Sequence, residues 1–112
     1  MIHNALILLA IAATPHVPAE APDVAVVVTP PLGEAMEPWI RYRQRQGHQV
    51  AVVAGDRSVP EICGELRTLA QDGRLRYVVL VGDADPAMYS DPKVFARCVP
   101  TAYAEAKVNV LW

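Results

Sequence analysis

The chain has 112 residues, a length that holds one folded domain of ordinary size. With 53% hydrophobic and 20% charged residues, ten prolines and six glycines, the composition is globular and excludes disorder, collagen and a coiled coil. A net charge of -2 with no run of Lys or Arg excludes the electrostatic footprint of a nucleic-acid or anionic-membrane binder.

The first element is a targeting segment. Ala5 to Ala13 reads ALILLAIAA, too short for the roughly 20 residues that span a bilayer but suited to the apolar core of a signal peptide. No membrane span is expected; export to the cell envelope or beyond is. Small residues place cleavage after Ala12 or at Ala19-Glu20-Ala21. The segment Met1-Ile2-His3-Asn4 carries no Lys or Arg, so its positive charge is the terminal amine. Pro15, Pro18 and Pro22 then make a linker that sustains neither a helix nor a central strand. Residues 1–22 are thus read as leader and linker, and residues 23–112 as the folded part.

Val24 to Val28 is an unbroken apolar, β-branched run, the mark of a strand covered on both faces and so of a parallel sheet between helices. After a break at Pro30-Pro31, a helix is predicted over Glu34 to Gln46, ended by Gly47. Met36, Trp39, Ile40 and Tyr42 would face the sheet, with Arg41, Arg43, Gln44 and Arg45 in solvent. Pro38 inside this stretch predicts either a start near Glu37 or a kink. Gln49 to Val53 is the second strand. Ser58-Val59-Pro60-Glu61 has the form of a capping box, in which Ser and Glu satisfy first-turn amides reciprocally and Pro sits where no donor is needed. The helix it opens presents Ile62, Cys63, Leu66, Leu69 and Ala70 on one side and stops at Gly73. Tyr77 to Val81 is the third strand, ending at Gly82-Asp83.

Strand and helix in alternation with short connections require parallel pairing through right-handed crossovers. The fold class is therefore α/β: a three-layer, flavodoxin-like or Rossmann-like parallel sheet of order 2-1-3 with helices on both faces. Beyond Asp85-Pro86 the chain is predicted irregular, punctuated by Pro86, Pro92 and Pro100. Val108 to Trp112 then reads as the start of a fourth strand, so the sheet is expected to be incomplete at its C-terminal side.

Open parallel sheets bind ligands beyond the carboxyl ends of their strands. Here those positions are Thr29 to Gly33, Ala54 to Ser58 and Gly82 to Asp85. Asp56, Asp83 and Asp85 have the hard oxygen ligands a divalent cation takes, but Gly-Asp after a strand is also ordinary turn chemistry. Neither glycine-rich phosphate motif occurs. An acceptor aspartate of a response regulator would sit at Asp83, yet Thr29-Pro30-Pro31 supplies no acidic pair to accompany it. A cysteine nucleophile needs an imidazole beside it. Cys63 falls on the core side of the second helix and Cys98 in a loop. His3 and His16 fall in the leader or linker, and His48 at the opposite end of the sheet. No catalytic residue is assigned, and a disulfide between the two cysteines is poorly placed.

Three segments together resemble the N-terminal subdomain of gingipain-family cysteine peptidases of the caspase-like clan. They are Glu37-Pro38-Trp39-Ile40-Arg41-Tyr42-Arg43 running into Gln46-Gly47-His48, then Arg76-Tyr77-Val78-Val79-Leu80-Val81-Gly82-Asp83, and Val99-Pro100-Thr101-Ala102-Tyr103. The resemblance extends from Asp23 to Trp112. It implies a structural subdomain of a secreted cysteine endopeptidase acting on proteins, whose His and Cys lie in a downstream subdomain that would be its partner. It also implies calcium as the one cofactor to consider, with Asp83 and Asp85 as candidate ligands. The competing expectation is an exported, non-enzymatic α/β binding or scaffold module.

Overall fold

A computed structural model describes residues 20–104. The apolar leader core and Val108 to Trp112 lie outside the described residues. Three strands, β1 (Val24–Val28), β2 (Val50–Ala54) and β3 (Tyr77–Val81), form a parallel sheet of order β2-β1-β3. The crossovers are the helices α1 (Pro30–Arg45) and α2 (Val59–Leu69). The register is set at the first residue, where Val24 faces Val50 on one side and Tyr77 on the other.

β1 is central, and every one of its side chains is buried. Val24, Val26 and Val28 pack under Leu32, Met36, Trp39 and Ile40 of α1. Ala25 and Val27 face the opposite side, with Val53, Ile62 and Val99, and Leu66 and Leu69 of α2 close that cluster. Period-two alternation thus divides one apolar run between two cores. Each buried valine contributes roughly 1.5–3 kcal/mol relative to exposure. Among the described residues the other two strands are edges. α2 covers β1 and β2 but leaves Val78 and Leu80 of β3 45% and 59% exposed, and Val52 of β2 is exposed on the other face.

α1 begins earlier than its sequence predicts. Pro30 and Pro31 open the helix instead of breaking the chain before it, because the first helical amides have no intrahelical acceptor and proline lacks only that donor. Pro38 lies inside the helix, which is assigned without interruption from Pro30 to Arg45. The packed seam is Leu32, Met36, Trp39 and Ile40, positions i, i+4, i+7 and i+8, so Tyr42 is 49% exposed where a core position was expected. Gly47 adopts φ +93 just past the cap, as a helix-ending glycine does.

α2 carries the expected capping box: the Ser58 hydroxyl accepts from the Glu61 amide and the Glu61 carboxylate accepts from the Ser58 amide at 2.9 Å. After β3 the chain is more regular than predicted. Pro86–Tyr89 forms a 3-10 turn and Pro92–Phe95 a short helix, α3. Asp85 and Asp91 cap them by accepting from Ala87 and Lys93 amides at 2.9 Å. The repeated Asp-Pro pair was the available signal, since aspartate followed by proline is a cap followed by a first helical residue.

Candidate functional site

The carboxyl ends of the strands are where this topology places a ligand, and here the chain's own segment 96–99 occupies that ground. The Thr29 hydroxyl, at the end of β1, donates to the Ala96 carbonyl at 3.0 Å. Asp83 donates its amide to Arg97 and accepts from Val99, both at 2.9 Å, giving an isolated parallel bridge between Asp83 and Cys98. Val99 inserts into the α2-side core. The approach is close enough that a Cβ on Gly82, whose φ is +143, would lie 2.8 Å from the Val99 nitrogen and 2.9 Å from the Arg97 carbonyl. Thr29 is also the residue preceding α1, but its side chain makes no capping bond. Two prolines in the first turn leave fewer amides to cap, which frees the hydroxyl for Ala96.

The predicted site residues fall around this plug. Asp83 is exposed, and its Oδ1 accepts from the Ala84 amide at 2.8 Å. Asp85 is half-buried. One of its oxygens accepts from Ala87 and the other meets the Arg97 guanidinium at 3.4 Å. Asp56 lines an open groove of about 580 Å³ with Arg57, Pro60, Tyr89, Phe95 and Pro100. Arg57 is ion-paired with Glu65. Glu61 is held below the ordinary carboxylate range by the Ser58 hydroxyl and then by the Ser58 amide. Partial burial, reinforced by Tyr89 and the Asp85 carboxylate, raises the pKa of the Tyr103 phenol. Among the described residues no three His, Cys, Asp or Glu side chains come together as a metal-binding group. Calcium takes six to eight oxygens. Asp83 and Asp85 offer four, three of them already engaged.

The two cysteines are free and differ in setting: Cys98 is fully buried within the plug, and Cys63 is half-buried on α2. His48 lies at the amino end of the sheet, away from both. Sequence reasoning passed over it, yet it is a built position. Its Nδ1 is 2.7 Å from Asp23 Oδ2, and Asp23 Oδ1 accepts from the Gln49 amide at 2.8 Å. The His48 hydrogen bond is the main reason the Asp23 pKa lies below its usual value. The signal was in the register: Asp23 precedes β1, His48 stands just before β2, and parallel pairing of Val24 with Val50 brings them together. Beside them Arg43 stacks on Trp39, its guanidinium carbon 5.2 Å from the ring centre.

The described residues therefore present a covered ligand edge without a nucleophile and base in contact, and a polar cluster at the opposite end. The family model of Peptidase family C25 matches residues 17–109 of the chain. No curated protein and no solved structure matches it. No helix among the described residues is long and apolar enough to cross a membrane.

Proposed function

Because the chain belongs to peptidase family C25, a gingipain-like family of cysteine peptidases, we propose that it is the structural N-terminal α/β subdomain of a secreted endopeptidase, inactive by itself and completed by a downstream subdomain bearing the catalytic His and Cys. The observation that carries this reading is the plug over the carboxyl ends of β1 and β3. A substrate-binding sheet leaves that edge open, whereas this one spends it on internal hydrogen bonds from Thr29 and Asp83. Acyl transfer needs a nucleophile with its base at hydrogen-bond reach, and Cys98, Cys63 and His48 are dispersed between the plug, α2 and the far end of the sheet. Protein substrates belong to the whole enzyme in this reading. Export rests on the leader core, and the N-terminal residue of the protein recovered from a secreting host tests it directly.

The central test is peptidase activity. The 112-residue chain incubated with fluorogenic peptides should cleave none, while the chain extended by its downstream coding region should cleave them in a thiol-dependent manner. Cleavage by the short chain that Cys63→Ala or Cys98→Ala abolishes would overturn the assignment. Calcium enters the proposal only at Asp83 and Asp85, where it has to displace Arg97. Calcium should then raise the Tm of Arg97→Ala more than that of the parent chain; identical responses would remove calcium from the reading.

A further inference from the structure

Between α1 and the amino ends of β1 and β3 lies a half-enclosed cavity of about 240 Å³ that the peptidase reading leaves unused. Val24 and Val79 supply apolar walls, Trp39 and Tyr77 aromatic ones, and Arg43 and His48 the polar groups. Arg43 is half-buried and stacked on Trp39. Among the described residues it has no carboxylate partner, and its one side-chain hydrogen bond runs from Nη1 to Gln46 Oε1 at 3.1 Å. A guanidinium has five N–H donors, so most of its capacity is unspent beside an apolar space. His48 is fixed in orientation, because Asp23 takes Nδ1 and leaves Nε2 as the remaining polar atom of the ring. Asp23 itself does not line the cavity, and its two oxygens are occupied by His48 and the Gln49 amide.

We propose that this cavity binds a compact apolar group carrying a carboxylate, with the apolar body between Trp39, Tyr77 and Val79 and the carboxylate on the Arg43 guanidinium. Because His48 gives its Nδ1 hydrogen to Asp23, its Nε2 donates to that carboxylate only when the ring is protonated. The volume equals on the order of eight waters, which suits one side-chain-sized group and not a drug-sized ligand. Arginine forms paired hydrogen bonds to carboxylates, and its stacking on Trp39 holds the fork in place without a competing anion. Such chemistry is shared by a free aromatic acid and by the C-terminal residue of a peptide.

The probes are 3-phenylpropionate for the free acid and N-acetyl-phenylalanine for the peptide end, each paired with its uncharged amide, titrated into the 112-residue chain by NMR. At least one acid should bind about tenfold tighter than its own amide, with shifts at Trp39, Arg43 and Tyr77, and the tighter acid identifies the source. Arg43→Gln should erase the difference and Arg45→Gln, exposed on the same helix, should keep it. Amides that bind as well as the acids, shifts elsewhere on the surface, or no binding by either acid would overturn the proposal. The acid-to-amide comparison on the parent chain decides the matter even where Arg43→Gln fails to fold.

Discussion

Asp23 is held below its ordinary pKa chiefly by the hydrogen bond with His48, so the folded chain binds fewer protons there than the unfolded one. For a depressed carboxylate the stabilisation is present above the unfolded-state pKa of about 3.9 and disappears as pH falls through the lower folded-state value. Asp23→Asn should therefore reduce stability at neutral pH and flatten the loss below about pH 4 in urea titrations; an unchanged acid limb would mean the pair does not contribute. Two glycines test local geometry in opposite senses. Gly82→Ala forces a Cβ into the Val99 and Arg97 backbone at a positive φ, and should cost about 1–3 kcal/mol. Gly64→Ala, in open space inside α2, should stabilise by roughly 0.5–1 kcal/mol. Chemical unfolding of both variants reads the contrast.

The capping box is the element-level feature most exposed to a simple experiment. Ser58→Ala removes the hydroxyl that accepts from Glu61 and should destabilise by about 1 kcal/mol, against less than about 0.5 kcal/mol for Arg45→Ala on the exposed side of α1. Equal urea midpoints would refute the cap's contribution. This box, the three strands and their order were legible because each rests on a local pattern: a reciprocal Ser/Glu spacing, or five apolar residues between turn signals. What was not legible depends on the third dimension. The apolar run of β3 reads like that of β1, yet among the described residues Tyr77, Val78 and Leu80 are exposed, and nothing in five consecutive residues tells a covered face from an open one. The start of α1 was misjudged because Pro30-Pro31 has two local meanings, break or first turn, and the helix following Thr29 selects the second. The pairing of Asp23 with His48 needed the register, and the covering of the ligand edge needed a residue 67 positions beyond Thr29.

At the scale of the whole molecule, the sheet is assembled around β1, with α1 and α2 each closing one side and the 96–99 segment closing the end. That last closure differs in kind from the others. The pairing of β1 with β2 and β3 is a continuous ladder with two packed cores behind it, whereas the plug hangs on the Thr29 bond, the two bonds at Asp83, the Arg97–Asp85 pair and the burial of Cys98 and Val99. Its tie from Thr29 to Ala96 joins residues 67 apart, and with the sheet formed the plug is tethered to the end of β3 only through the loop carrying the 3-10 turn and α3. The consequence is an order of events: the sheet should form first, the plug should dock afterwards, and in the native state the plug should open alone, as a separate unit of lower stability. Amide hydrogen exchange would resolve it, with Asp83 and Val99 exchanging by a shallower opening than Ala25 and Val27. Thr29→Val should speed exchange at Asp83 and Val99 while leaving the β1 amides unchanged, and a uniform change across all four would show that the end of the sheet opens only when the entire fold does.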